Sequence, residues 1–573
     1  MRPGLAAAGG LAIALLMVAA APAATATPLD LATLSGERLA GPVDLSAFAP
    51  SPQAETLEGR IALRLALDTT NRRLTLKLRR DETADDAAAR RARPTLPDFD
   101  FAFVAEDGVL IPLRRGVVES AHPAWDWVVE PGAVWREPGE AGWLRAALPV
   151  ALQERNANCV HNGVLTFAFR PDGAVSKAAL EFASETCAYL KFDGWGLFPA
   201  RLDLSPASGA DTVVAAYRAE VAGRLPVRPV SELAARYPGV DPGRLGLARP
   251  GDGDAPAAWG LVVDGVRYAG PCRTRHGDYP FCAALALPSY STAKSIVGGV
   301  GLMRLEALRP GATRRLVRDH VPACAQGRTW DGVTLADALD MATGVYTTAG
   351  SEADEGAADM SAFFAAPDHA FKAAYACRRH DRRAEPGRAF AYHTTDTYLL
   401  GAAMSDIARR EGLGDLYADI VAPLWRDIGV GPTIGETRRT LDAVRQPFTG
   451  WGLTYRADDI VRIAAWLSSG ARIEGRPVLD EALLDAALQR DPANAGLPAG
   501  GPAYRYKGGF WARDIAPVVG CDRPLWVPFM SGYGGISVVL LPGDMTFYYF
   551  GDSGVFDWAP AAVEAARMKR ICR

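Results

Sequence analysis

Pro288-Ser289-Tyr290-Ser291-Thr292-Ala293-Lys294-Ser295, running into Ile296-Val297-Gly298-Gly299-Val300-Gly301-Leu302-Met303, is the stretch whose reading decides the fold. Proline and serine at its front are helix-start signals, and the run after them is apolar on nearly every face, which predicts a buried helix. Ser291 and Lys294 stand three residues apart, so they project from the same side of the first turn. A serine at a helix N-terminus has backbone N–H groups and the positive end of the dipole near it, which favours a developing oxyanion. A lysine held in an apolar wall is costly to keep charged, so its pKa falls and it can accept or pass on a proton. Taken alone, the Ser-x-x-Lys spacing also fits a surface lysine after a helix cap.

Working outward, four further segments follow in order. They are Val333-Thr334-Leu335-Ala336-Asp337-Ala338-Leu339-Asp340-Met341-Ala342-Thr343-Gly344, Phe390-Ala391-Tyr392-His393-Thr394, Pro423-Leu424 with Gly429, and Gly452-Leu453 with Asp459-Ile460-Val461-Arg462. Together with Ser-x-x-Lys they resemble the serine β-lactamase and penicillin-binding-protein superfamily, in particular its class C β-lactamase, D-Ala-D-Ala carboxypeptidase and esterase branch. The resemblance covers about residues 237–573. It implies an α+β fold: an antiparallel sheet flanked by helices, with a helical subdomain. It also implies an acyl-enzyme mechanism with Ser291 as nucleophile, Lys294 and Tyr392 as proton-handling partners, and no metal or organic cofactor. Tyr392 takes the serine proton as a phenolate or through Lys294, whose charge is expected to lower the tyrosine's pKa.

Two positions depart from the family pattern. Thr394 stands where the second signature, Tyr-x-Asn, has asparagine, and a hydroxyl is shorter than an amide and donates only once. The best match to the third signature, Lys-Thr-Gly, is Tyr533-Gly534-Gly535, without the lysine that holds a substrate carboxylate and acidifies the tyrosine. The reading therefore leans toward an esterase-like activity on esters or amides without a free carboxylate. The family's second oxyanion donor points to the N–H of Ile536, with Gly535 before it letting substrate approach the backbone. Tyr533 and Thr394 complete the expected binding residues. The alternatives are a D-Ala-D-Ala carboxypeptidase or β-lactamase and, from another class, a catalytically idle binding or sensor protein. Gly551-Asp552-Ser553-Gly554 looks like the serine stretch of trypsin-like proteases, but no histidine-loop segment accompanies it, so it reads as a turn. A Gly-x-Ser-x-Gly elbow is absent from the sequence.

Beyond the third motif, Ile536 to Leu541 and Met545 to Phe550 read as a hairpin closed by Pro542-Gly543-Asp544, with a last helix from about Ala559. Upstream, residues 29–223 read as an antiparallel β-domain, with a sandwich as the form considered. Arg60 to Leu67 alternates at period two, as does Leu74 to Leu78 after a turn at Thr70-Asn71. Pro171-Asp172-Gly173 joins a hairpin. Residues 79–94 read as a solvated loop or short exposed helix. Trp125, Trp127, Trp135 and Trp143 fill a core on the favoured reading; exposed, they could stack on sugar rings, which makes a glycan the possible partner of this domain. A Pro/Gly-rich stretch, 224–256, reads as a linker.

The chain has 573 residues, enough for several domains, with 49% hydrophobic and 22% charged residues and a net charge of −4. That balance offers nucleic acid or an anionic membrane no electrostatic footing. Residues 1–26 read as a signal peptide: Arg2, an apolar run from Leu11 to Ala21 about half the ~20 residues a bilayer span needs, then Ala24-Thr25-Ala26. Export to the periplasm or outside the cell is expected, with no stable membrane anchor. The eight cysteines suit an oxidising compartment, and sequential pairing is the expectation, Cys159–Cys187 and Cys272–Cys282 each bracketing a hairpin.

Overall fold

The computed structural model describes residues 29–36, 41–69, 76–82, 95–183, 186–205, 208–247, 257–350 and 352–572. The expected signal peptide, the Thr70-Asn71 turn and residues 83–94 lie outside these. Residues 79–81 belong to a strand, Lys77–Asp81, which pairs with Phe192–Phe198.

The N-terminal region is one antiparallel sheet of thirteen strands; its strands are hydrogen-bonded into a single sheet, not two. Period-two alternation is realised where Arg60–Leu67 pairs with Phe99–Glu106. Leu63, Leu65 and Leu67 turn inward with Phe99, Phe101 and Phe103, while Arg64 and Asp100 pair at 2.6 Å on the outer face. Trp125 and Trp127 sit in the same core, Trp127 edge-on to Phe99 at 5.4 Å. Trp135 is also buried, and half-buried Trp143 lies under Arg170.

Two central strands, Leu144–Glu154 and Val160–Phe169, are buried on both faces. Their inward residues Leu148, Leu152 and Leu165 belong to the sheet's own core. Ala147, Val164 and Ala168, on the other face, join an apolar cluster that includes Leu287, Ala293 and Ile296. The sheet is thus one side of the bed for the segment bearing Ser291.

The C-terminal region has the β-lactamase/transpeptidase-like fold. A nine-stranded sheet carries helix Ala457–Ser468 on one face and Ala559–Met568 on the other. Alternate residues of Ile536–Leu541 and Met545–Phe550 go to the two sides: Val538 and Tyr548 to the first helix, Val539 and Phe547 to the second. A helical cluster built on Leu335–Leu339, His369–Arg378 and Thr394–Arg410 forms the subdomain. Within the stretch read as a linker, Val227–Pro229 pairs in parallel with Val266–Ala269, and Val230, Leu233 and Leu245 bury against Trp259. These residues extend the second sheet and do not act as a tether.

Disulfides join Cys159–Cys187, Cys324–Cys377 and Cys521–Cys572. Cys272 and Cys282 are free thiols, against the sequential expectation. The hairpin there is only two residues a side, Arg273–Thr274 with Gly277–Asp278. The chain then buries Tyr279 and turns into a short helix at Cys282, which takes that thiol out of register. Among the described residues no helix is long and apolar enough to cross a membrane.

Candidate active site

The helix expected at Ser291 is present in three joined parts. A 3₁₀ turn at Tyr290–Thr292 passes into a π-type segment, Lys294–Gly299, and then into the α-helix Val300–Leu308. Wide turns of this kind recur at functional sites because they re-aim side chains within a helix. Gly299 lets the segment lie close on the turn between the strands Tyr504–Lys507 and Phe510–Asp514: a Cβ there would meet the Gly508 carbonyl at 2.6 Å. Ser295 Oγ donates to the Gly509 carbonyl at 2.6 Å and ties the same two elements. Just before Ser291, Tyr290 holds φ at 40°, a left-handed conformation costing a bulky residue about 1–3 kcal/mol.

Ser291 is half-buried and faces a cleft of about 630 Å³. Lys294, 1% exposed, donates from Nζ to Ser291 Oγ at 2.8 Å and to Thr394 Oγ1 at 2.7 Å, with the Gly450 carbonyl at 3.4 Å. Burial pushes its ammonium down to about 8, against the upward pull of the Glu355 and Glu352 carboxylates. At neutral pH an appreciable fraction is the free amine, a competent base.

Tyr392 differs from expectation. Its phenol stands well above 10, driven up by burial and then by Tyr506 and Glu355, while the Ser291 hydroxyl lowers it by less. Lys294 lies over the ring, 4.9 Å from the centroid, where a cation meets the π-face. Tyr392 is therefore a neutral hydroxyl and not a phenolate. Its segment is set by the Met341 carbonyl, which accepts from the Ala391 N–H at 2.9 Å, after a capping box in which Thr334 and Asp337 start the preceding helix.

Thr394, in the asparagine position of the second motif, has a partner that no motif announced. Glu355 accepts from the Thr394 N–H at 2.8 Å and also from its hydroxyl. The result is a chain from Lys294 through Thr394 to Glu355. Beside it, Asp354 accepts from the N–H groups of Thr347 (2.8 Å) and Thr348 (3.0 Å) and from His393 Nε2 (3.1 Å). His380 stacks on His393, centroids 4.7 Å apart. Asp354, His380 and His393 are close enough to share an ion, yet the Asp354 carboxylate is already taken up by the N–H groups of Thr347 and Thr348 and by His393.

The third motif is placed differently from its sequence reading. Ser531, Gly532 and Tyr533 line the cleft, Tyr533 59% exposed and packed near Tyr290 and Tyr189. The chain reverses at Gly534 and Gly535, both at positive φ, so Ile536 lies across from Gly532 on the next strand with its side chain in the core. Gly535 faces Val555 and Gly534 faces Ala188, where Cβ atoms would come within 2.7 and 2.6 Å. These glycines serve a tight turn and close packing, not substrate approach. Asp552 of the trypsin-like stretch is buried against Arg275 at 2.7 Å.

Among the described residues lining the cleft there is no Lys or Arg. Its aromatic side comes from Trp451, Trp511, Phe364 and Phe556. The N-terminal region also lines the cleft, through Glu154, Asn156, Asn158 and Tyr189, and Asn156 Nδ2 donates to the Phe364 carbonyl at 3.0 Å.

A family model described as Beta-lactamase matches residues 257–547. Among solved structures the chain is similar to EstCE1, a hydrolase with promiscuous acyltransferase activity, at 14% identity and TM-score 0.41 over 62% of this chain and 100% of that one. It is similar to a penicillin-binding protein homolog from Caulobacter crescentus at 18% identity and TM-score 0.37, over 61% and 96%. A family VIII carboxylesterase aligns at 17% identity and TM-score 0.39, over 55% and 92%. No curated protein matches the sequence.

Proposed function

The chain belongs to the beta-lactamase family, and from that premise we propose that it is a serine hydrolase acting through an acyl-enzyme on esters or amides that lack a free carboxylate. One observation carries the reading: a buried lysine amine, lowered to about 8, stands 2.8 Å from the hydroxyl of a serine that opens onto a cleft. In the proposed reaction Ser291 Oγ attacks the carbonyl while Lys294 takes its proton. Tyr392, as a neutral hydroxyl, relays that proton to the leaving group. Water then attacks the acyl-serine as Lys294 accepts its proton; the acyl–Oγ bond breaks, the acid leaves, and Lys294 returns the proton to Ser291 Oγ. The N–H groups of Ser291 and Tyr533 hold the oxyanion; Tyr533 takes the role first read for Ile536 because it lies at the cleft.

The substrate preference rests on the cleft's lack of Lys or Arg, since nothing cationic at its wall offers a carboxylate a partner. This favours the esterase-like reading over a carboxypeptidase or β-lactamase. The presence of Ser291, Lys294 and Tyr392 together favours an enzyme over an idle binding protein. Three disulfides suit the exported location that the first 26 residues predict.

The test is turnover of p-nitrophenyl acyl esters and of nitrocefin by the wild type and Ser291→Ala. Ester turnover is expected to fall at least ~10³-fold in a folded Ser291→Ala variant. Nitrocefin turnover is expected to be weak in both. Ester turnover at the wild-type rate in the variant sinks the nucleophile assignment, and rapid nitrocefin hydrolysis by the wild type sinks the substrate preference.

A further inference from the structure

The segment that carries Ser291 is held by a side chain from the other sheet. Asn158 lies in the connection between the strands Leu144–Glu154 and Val160–Phe169 and is 1% exposed. Its Oδ1 accepts from the Tyr290 N–H at 2.7 Å, Ser289 Oγ at 2.9 Å and the Gly452 N–H at 3.0 Å. Its Nδ2 donates to the Leu453 carbonyl at 2.9 Å. Backbone donors on one side and a backbone acceptor on the other settle which end of the amide is which. Only asparagine meets both needs at this length. Glutamine is a methylene longer, aspartate has no donor, and an apolar residue leaves buried backbone groups unpaired.

The same region reaches Tyr290 from its ring side. Tyr290 OH accepts from the Ala188 N–H at 3.3 Å, and its ring meets Tyr189 edge-on at 6.0 Å. The Cys159–Cys187 disulfide joins the residue after Asn158 to the residue before Ala188. The strained Tyr290 backbone is thus clamped on two sides by one cross-linked unit of the N-terminal sheet, immediately before Ser291.

We propose that Asn158 is a positioning residue for Ser291, and that the N-terminal β-domain is a working part of the active site: it sets the nucleophile and, through Asn156 and Tyr189, supplies one wall of the substrate cleft. This rests on reading Ser291 as the nucleophile.

Asn162 supplies a matched control. It is another buried asparagine of the same region: its Oδ1 accepts from the Ala286 N–H at 2.9 Å and its Nδ2 donates to the Ala286 carbonyl at 2.7 Å and to Thr186 Oγ1 at 3.0 Å, so its hydrogen bonds go elsewhere than Ser289 and Tyr290. In the full chain, Asn158→Ala, Asn158→Asp and Asn162→Ala are compared by the rate of Ser291 labelling with a fluorophosphonate probe, by thermal midpoint, and by amide hydrogen exchange of the peptide spanning residues 288–293. Asn158→Ala is expected to label about 10–100-fold more slowly, the cost of a misplaced reacting group, with faster exchange at Tyr290. Asn162→Ala is expected to lose stability comparably while labelling within about threefold of wild type. Asn158→Asp keeps the acceptor for three donors, so it is expected to retain protection at Tyr290 and to fall between wild type and Asn158→Ala; it carries the test if the alanine variant does not fold. Wild-type labelling and exchange in a folded Asn158 variant, or an equal labelling loss in Asn162→Ala, overturns the proposal. A wild-type protein labelled elsewhere than Ser291 instead defeats the nucleophile reading, and the exchange data still decide whether Asn158 holds the segment.

Discussion

Two regions meet beneath the cleft: a near side, where Ser291 and Lys294 come from a single helix, and a far side in the N-terminal region, from which Asn158 reaches Tyr290 across 132 positions of sequence. The first pairing follows from helical geometry, because residues three apart share a face. The second exists only because the N-terminal sheet packs on that helix, with Ala147 and Val164 of the sheet in the same apolar cluster as Ala293 and Ile296 of the helical segment. Both sides are buried, and both hold polar groups that would be costly unpaired. On the proposed reading the near side carries the reactive groups, and the far side sets where they point.

The largest effect on this comparison is expected at Lys294. Lys294→Met should lower acylation about 10³-fold, as loss of a proton acceptor does, measured by probe labelling. Its stability should change in the opposite sense. The native pKa near 8 lies below the unfolded value of 10.5, so the unfolded chain binds more protons between those values and the wild type gains stability as pH rises through that window. The methionine variant should then be more stable at pH 7, by about 1–3 kcal/mol, and the gain should vanish above about pH 10.5. Thermal scans at pH 7 and 11 check this; an equal gain at both would mean the lysine is not held near neutrality.

Disrupting the far side should cost less. Cys159→Ser/Cys187→Ser should reduce stability by about 2–4 kcal/mol and slow acylation roughly three- to tenfold, because the clamp on Tyr290 loosens while its hydrogen bonds remain. A double variant that loses stability at full acylation rate would assign the disulfide to the scaffold alone.

Glu355→Gln sharpens the near side. Removing that carboxylate takes away an upward pull on Lys294, so the rise of the acylation rate with pH should move to lower pH. A pH–rate profile displaced upward, or not at all, would remove Glu355 from the Lys294–Thr394 chain. The smallest effect is expected at Tyr533→Ala. With the side chain exposed, stability should stay within about 0.5 kcal/mol, while KM for an aromatic ester rises roughly two- to tenfold, the worth of one aromatic contact.

Much of the near side was legible. The contact of Ser291 with Lys294 followed from their spacing, the Ile536–Leu541 and Met545–Phe550 hairpin from its turn, and the alternating Arg60–Leu67 strand from its period. The misreadings share a cause. Ile536 follows the glycines in sequence, but the turn they make sends it to the next strand. Tyr392 was expected to be acidified by Lys294, but burial outweighs a cation that sits over the ring and not at the hydroxyl. Cys272 and Cys282 flank a hairpin too short to bring them together. Glu355 and Asn158 carry no local pattern at all.

What the sequence determined by itself is whatever repeats at the period of a helix or a strand: the helix bearing Ser291 and Lys294, the paired strands, and the burial of Trp125 and Trp127 among apolar neighbours. What only the tertiary structure decided is the company those residues keep: Glu355 on Thr394, Asn158 on Tyr290, and a cleft walled from two sheets. Local periodicity acts over a few residues and can be read one segment at a time. A buried hydrogen bond between distant segments depends on how whole surfaces pack, and its partners need nothing in common in the sequence but a donor on one side and an acceptor on the other.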